Sequence, residues 1–392
     1  MVKPTTELEI TTLPESEIVF DVGSLMAHLY CLTDPRKPRG VRYSLVTLLT
    51  LLILAKLGGE DGMKGMAEWV QLRGQALVRL LGLQRESVPH QTTYERVVAV
   101  LDMEEFEGVV GHFFAPQADT NLTVALDGKV LRGTIPEGET QGVHLLAAYA
   151  PDQGVVLMQV EVEDKANELA AAPRLLAALD LRGALVTGDA LFTQRELCVQ
   201  IVAEGGDYVL PVKDNQPKLR QTIADLFTPM PITPGHSWQP LPETTYHTTT
   251  SGHGRLEERY LTLSSQLNDY LDWPHLGQVF RLQRVVHHLK TGRITYEVVF
   301  GITSLSQTDC SPERLMRVIR NHWHIENRLH YVRDVTFHED ACPIREPKRQ
   351  RFLASLNNLV IGLLRQCDFN YVPEARRFFN LQFAQAFQLL LQ

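Results

Sequence analysis

Apolar residues recur at helical spacing from Leu25 to about Pro116. The run Leu25–Leu32 is cut by the turn-forming DPRKPRG at 34–40. Leu45–Leu57 is apolar all round except at Thr47, Thr50 and Lys56, and Ser44 stands where a cap belongs. That run is too short to span a bilayer and predicts a buried helix. Shorter helical runs follow at Met63–Gln71, Gln75–Leu81 and Thr92–Leu101. Thr92 with Glu95 three residues on predicts a capping box. The pattern predicts an all-helical N-terminal domain over residues 21–116, after a polar, acidic lead-in over residues 1–20.

The period changes at about Asn121. LTVALDGKVL, His144–Ala150 and Val155–Val162 read as three strands in a meander. Asn167–Leu181 is helical, Gly183–Gly188 is a buried strand ending at Asp189, and a helix capped by Thr193 runs to Ala203. Tyr208–Val212 is a further strand. The order βββαβαβ predicts an α/β fold, a mixed sheet with helices on its faces, over residues 117–228. Residues 229–305 read as a β-rich insertion, with strand-like runs at Arg259–Leu263, Val279–Val286 and Thr295–Ile302. Ser311–Thr336 reads as one long helix within a segment at 306–345, and Pro347–Cys367 as an amphipathic helix within a C-terminal helical segment at 346–392.

The bulk numbers narrow the class. A chain of 392 residues holds two or more domains. The net charge of −8 argues against a uniformly basic nucleic-acid binder but leaves room for local basic patches. The five cysteines form no CxxC pair, so neither a zinc knuckle nor a disulfide framework is expected, and a reduced, cytoplasmic setting is the default. Met1–Pro14 is polar and acidic, so no secretory leader is expected.

Three acids stand out. Asp127 and Asp189 are lone carboxylates at the ends of apolar strands, Asp127 followed by a glycine and Asp189 preceded by one. Glu326 lies in the predicted long helix, on one stripe with His322, His330 and Arg333. Trp323, Ile325 and Leu329 interleave with that stripe, which predicts a half-buried face with Trp323 in the core. Each aspartate alone is explained by turn capping, and a charged helix stripe by solvated ion pairs. Three carboxylates from separate elements would together make a hard-oxygen site suited to Mg²⁺ or Mn²⁺. Two such ions about 4 Å apart serve phosphodiester cleavage.

The order of elements and several co-linear stretches resemble the DDE transposases with an RNase H-like fold, in particular the ISAs1 insertion-sequence family of the wider IS4-like group. The matching stretches are DPRKPRGVRYSLVTLLTLLILA, ALDGKVLRGT around Asp127, VTGDALFTQ around Asp189, YVLPVKDNQP at 208–217 and HWHIENRLHYVRDVTFHED around Glu326. They extend from about Asp34 to about Asp340. The resemblance implies cleavage and joining of DNA ends, Asp127, Asp189 and Glu326 as the metal-binding triad, two Mg²⁺ or Mn²⁺ ions, and a homodimer on paired ends. The wider group carries Tyr-x2-Arg-x3-Glu-x6-Lys around the glutamate. This chain keeps Glu326 and has Ile319, His322 and Arg333 at the other places. Arg333 would clamp a phosphate and His322 would donate to one, whereas Ile319 offers no side-chain contact.

Other polar residues are candidates for terminal-repeat or target DNA: Lys129 and Arg132 after Asp127, then Lys213, Asn215 and Lys218 after the Tyr208–Val212 strand. Lys348, Arg349 and Arg351 open the helix at 347, where their charge opposes the helix dipole and suggests a phosphate contact. In the N-terminal domain, Thr92, Thr93, Tyr94 and Arg96 would be the exposed start of a recognition helix if the bundle is a helix-turn-helix reader. The basic loop Arg36, Lys37, Arg39 and Arg42 reads equally as a phosphate contact or as a solvated loop. Two other readings stay open beside a transposase: a domesticated metal-dependent DNA endonuclease without strand transfer, and a catalytically inactive DNA-binding relic.

Overall fold

The structure, a computed structural model, describes residues 21–115, 122–138, 142–162, 168–228, 244–367, 369 and 371–392. The expected lead-in over residues 1–20 lies outside the described residues. Six helices come first: α1 (Leu25–Tyr30), α2 (Leu45–Leu57), α3 (Met63–Leu72), α4 (Gly74–Leu80), α5 (Gln91–Val100) and α6 (Met103–Phe114). Strands β1 (Thr123–Val130), β2 (His144–Ala150) and β3 (Val155–Val162) follow. Then come α7 (Glu168–Ala177), β4 (Leu185–Thr187), α8 (Arg195–Ala203), β5 (Asp207–Val212) and α9 (Pro217–Leu226). Four long strands, β6 (Thr244–Gly252), β7 (Arg255–Ser264), β8 (Gln278–His288) and β9 (Ile294–Thr303), precede α10 (Pro312–His322) and α11 (Tyr331–Val335). The chain closes with α12 (Pro347–Arg365), α13 (Val372–Leu381) and α14 (Phe383–Leu391).

Two compact units emerge. Of the described residues, the first joins those within 21–115, 128–168 and 325–392; the second joins those within 122–127 and 169–324. Strand β1 therefore supplies residues to both. The hydrogen-bonded strand order is β3-β2-β1-β4-β5-β9-β8-β7-β6. Its meander followed by two parallel strands, in the order 3-2-1-4-5, is the expected RNase H-like mixed sheet.

In the first unit α2 is the central helix. Every residue of it except Thr47 is buried, because α1, α3, α12, α13 and α14 all pack against it. This explains an apolar run with no polar face. The N-terminal helices are thus not a unit of their own: α2, α5 and α6 bury their faces on α12. Helix α5 is capped two residues earlier than its capping box predicted, by His90 rather than Thr92. Tyr94 is fully buried in that helix, so it belongs to the core and cannot read DNA. Strands β2 and β3 pair antiparallel from His144↔Val162 to Ala150↔Val155, with a bulge at Ala148/Tyr149. Helices α6 and α12 cover β3. The approach of α6 is close, since a Cβ on Gly111 would stand 2.1 Å from the Leu157 carbonyl oxygen.

In the second unit β1 runs parallel to β4, and β4 to β5. Strand β9 then pairs antiparallel with β5, and β8, β7 and β6 add on antiparallel. The β-rich insertion therefore extends the sheet. Leu261, Leu263 and Phe280 at its base pack with Leu315, Met316 and Val318 of α10. The far half of the ribbon, including all of β6, has almost no buried residues.

Candidate active site

Asp127 and Asp189 sit at the same end of one sheet. The buried run Thr123–Leu126 of β1 ends at half-buried Asp127. On the neighbouring parallel strand, buried Leu185–Thr187 leads through Gly188 to exposed Asp189. The last register pair is Ala125↔Thr187. Each aspartate stands two residues beyond it, so the strands deliver both carboxylates at the same level. The carboxyl ends of parallel strands are where open α/β sheets place their chemistry. Asp189 also caps the short turn Ala190–Phe192, where its carboxylate accepts from the Leu191 N–H at 2.8 Å.

His322, the last residue of α10, reaches the same strand. Its Nδ1 lies 3.0 Å from Thr187 Oγ1, two residues before Asp189. Helix α10 packs on β4 and so carries His322 to the strand end that bears Asp189.

Glu326 lies in the first unit, and the long helix expected there is broken. Helix α10 stops at His322, residues Ile325–His330 form a π-helical turn, and α11 resumes at Tyr331. The wider turn rotates everything after it, so the predicted stripe does not persist. Ile325 and Leu329 are buried, whereas Trp323, expected in the core, is 63% exposed. The Glu326 side chain remains 55% exposed, with His330 Nδ1 3.7 Å from its Oε2. Burial pushes the His330 imidazolium pKa down, although Glu326 opposes this, so the ring is a neutral partner near pH 7. His330 was visible on the sequence only as a member of the stripe. In the fold it is a buried ring set beside the glutamate.

Arg333 corrects the expected phosphate clamp. It is completely buried. Its Nε lies 2.8 Å from Glu339 Oε2, its Nη2 2.8 Å from Glu339 Oε1, and its Nη1 3.3 Å from Asn358 Oδ1. Asn357 donates to the same Glu339 carboxylate at 2.8 Å. Burial alone would raise the Glu339 pKa, but the Arg333 charge and these hydrogen bonds outweigh it and hold the carboxyl below its ordinary range. The arginine is a core ion pair and has no face to offer DNA.

The other candidate DNA contacts divide. Lys129 is largely buried, with its Nζ 2.8 Å from Asp334. Arg132 remains 74% exposed at 3.5 Å from Asp340. Lys213, Asn215 and Lys218 are exposed in the second unit, and Asn215 Nδ2 donates to the Ala190 carbonyl at 2.6 Å, which ties that loop to the turn after Asp189. At the start of α12 the predicted clash with the helix dipole is relieved by Glu346, which caps the helix by accepting from the Lys348 and Arg349 N–H groups. Lys348 Nζ donates to the Ala99 carbonyl at 2.9 Å, and Arg349 Nε is 3.6 Å from Glu346. Arg351 is held by Glu107 and Glu161, each at 2.7 Å, and by that pairing is withdrawn from any phosphate role. In the basic loop, Arg36 pairs with Asp34 at 2.6 Å.

The donors at Asp127, Asp189 and Glu326 are all carboxylates with solvent access, the ligand chemistry of a hard divalent cation. Among the described residues no helix is long and apolar enough to cross a membrane.

Comparison with known proteins bears on the family. A family model described as Transposase DDE domain matches residues 120–363, and one described as DDE_Tnp_1-associated matches residues 26–114. "Putative transposase YncI" of Escherichia coli O157:H7 is 29% identical over 363 residues, 88% of each chain. "H repeat-associated putative transposase YhhI" of Escherichia coli strain K12 is 26% identical over 357 residues, 88% of this chain and 91% of that one. Among solved structures, the piggyBac transposase synaptic complex with hairpin DNA aligns over 93% of this chain and 78% of its own, at 9% identity and a TM-score of 0.43. The domain match spans more than half of the sequence, and the chain belongs to the DDE transposase family.

Proposed function

We propose that the chain is a divalent-metal-dependent transposase of the ISAs1 kind that cuts double-stranded DNA at insertion-sequence ends and joins those ends to target DNA. Family membership supports the reaction class. The observation that carries the residue assignment is the equal register of Asp127 and Asp189 on parallel neighbours β1 and β4. Asp127, Asp189 and Glu326 would hold two Mg²⁺ or Mn²⁺ ions. When bound, such ions activate the attacking water or 3′-hydroxyl and stabilise the leaving oxygen. The chain's own part is to place carboxylate oxygens at fixed points. Leu191 N–H fixes one Asp189 oxygen, and His330 flanks Glu326. His322, 3.0 Å from Thr187 Oγ1, would donate to a DNA phosphate, and exposed Arg132, Lys213 and Lys218 would supply positive charge along the backbone. The same reading implies a homodimer on paired ends, working in the cytoplasm.

The test is cleavage of a labelled terminal-repeat duplex, with Mg²⁺ and with EDTA, by the wild type, Asp127→Asn and Glu326→Gln. Wild type with Mg²⁺ should yield nicked ends and joined product; EDTA and both variants should yield neither. Cleaved ends without joined product would make the chain an endonuclease. Unchanged activity in Asp127→Asn would sink the assignment.

A further inference from the structure

Gly128, the residue directly after Asp127, is tightly enclosed in the first unit. A Cβ built on it would stand 2.4 Å from Glu168 Oε1 and 2.5 Å from His144 Nε2. The requirement for glycine is therefore steric, set by two side chains that press against the β1 backbone. They form a pair of their own. His144 opens β2 and Glu168 opens α7, with Nε2 and Oε1 2.8 Å apart and side chains only 2% and 7% exposed. Neither ring nitrogen of His144 makes a hydrogen bond of regular geometry among the described residues, so the close approach of Nε2 to Glu168 is an electrostatic contact between two buried polar groups. A buried carboxylate–imidazole pair is a costly way to fill space that apolar side chains would fill as well. What distinguishes this pair is its position against one backbone atom, the one adjoining Asp127.

We propose that His144 and Glu168 are positioning residues, a brace that fixes the β1 backbone behind Asp127 and thereby the direction in which Asp127 presents its carboxylate. This rests on the reading of Asp127 as a metal ligand. With its Nε2 2.8 Å from Glu168 Oε1, His144 is held against Gly128, and neither side chain needs to touch the metal. A glutamine at 168 keeps the acceptor oxygen and the bulk, whereas an alanine removes the brace. A direct ligand would need the carboxylate charge itself, and that contrast separates the two roles.

The experiment titrates Mn²⁺ into the full-length protein by calorimetry for the wild type, Asp127→Asn, Glu168→Gln, Glu168→Ala and Gly128→Ala. Hydrogen–deuterium exchange of the peptide 127–130 is followed in the same samples. Glu168→Gln should bind Mn²⁺ within about threefold of wild type. Glu168→Ala should lose about 10–100-fold, the scale on which groups behind a metal ligand act, and its amides at 128–130 should exchange faster. Gly128→Ala, which displaces the pair from the other side, should show the same loss and keeps the proposal testable if Glu168→Ala does not fold. Equal loss in Glu168→Gln and Glu168→Ala overturns the brace in favour of direct use of the charge. Wild-type affinity and exchange in every Glu168 and Gly128 variant overturns it outright. If the wild type binds Mn²⁺ no better than Asp127→Asn, the metal reading falls and takes this one with it; altered exchange in Glu168→Ala alone tells that failure from the others.

Discussion

The cations of the segment after β5 and those of the C-terminal helical region look alike in sequence and differ in the fold. Lys213 and Lys218 are exposed. Arg333 and Arg351 are locked onto Glu339 and onto Glu107 and Glu161. Each group lies near a motif that suggests phosphate binding. The difference comes from the carboxylates that tertiary structure sets beside them. A cation free in sequence becomes structural once a buried acid needs it, because a lone buried carboxylate costs several kcal/mol. Availability to DNA is therefore a property of the partner, not of the basic residue.

The sharpest way to break this contrast is Arg333→Ala. It leaves Glu339 buried with Asn357 as its remaining side-chain hydrogen-bond donor among the described residues, and removal of one member of a buried pair costs about 3–5 kcal/mol. Chemical denaturation should show that loss. Arg333→Met with Glu339→Leu should recover most of it, since it removes both charges. A normal unfolding midpoint in Arg333→Ala together with weakened DNA binding would return Arg333 to the role of phosphate clamp. The pH dependence has a definite sign. The Glu339 carboxyl is held below its unfolded pKa, so its contribution is present above that unfolded value and is lost as pH falls through the folded one. Subtracting the Arg333→Met/Glu339→Leu curve from wild type should show this acid-side loss.

Much of the scaffold was legible because burial and chemistry coincide in it. Leu45–Leu57 is apolar throughout and became a buried helix with those same bounds. His144–Ala150 and Val155–Val162 are apolar runs divided by a turn sequence, and both bounds held. Asp127 and Asp189 stood out as single acids closing apolar strands. Strand β6 was missed because Thr244–Gly252 has no apolar alternation; it is paired along its length with β7, and Tyr246 is the residue by which it meets the core. The π-helical turn left no mark either, since the stripe through Glu326 fits a regular helix equally well. The ion pairs were illegible for a different reason. Arg351 and Glu107 are 244 residues apart, and no local pattern links them.

Lys56 offers a smaller, pH-dependent test of the same contrast, as a cation buried within α2. Its side chain is 1% exposed and lies 3.3 Å from Asp61. Burial, only partly opposed by Asp61, lowers its pKa to about 8 from 10.5. Between those values the unfolded chain binds more protons than the folded one, so this group makes stability rise with pH across about 8 to 10.5. The rise should be on the order of 3 kcal/mol, at about 1.4 kcal/mol per pH unit. It should be absent in Lys56→Met, and the difference between the two unfolding curves isolates it. A flat difference across that range would mean that Lys56 is solvated in the folded state.

The smallest effect on stability belongs to the exposed set. Lys213→Ala and Lys218→Ala touch no buried partner, so each should leave unfolding within about 0.5 kcal/mol of wild type. The change should appear in DNA binding. A lysine on a phosphate contributes about one unit to the slope of log affinity against log salt. Each single variant should therefore flatten that slope by about one on a terminal-repeat duplex, and the double variant by about two. Binding should weaken alike on repeat and unrelated sequences, because phosphate contacts carry no base information. Arg132→Ala should follow the same rule, reduced to the extent that Asp340, 3.5 Å away, already engages the guanidinium. An unchanged slope in the Lys213/Lys218 double variant would mean that exposure by itself does not make a DNA contact. The cations on DNA would then have to come from elsewhere on the chain, and exposure could not serve as the criterion dividing the two groups.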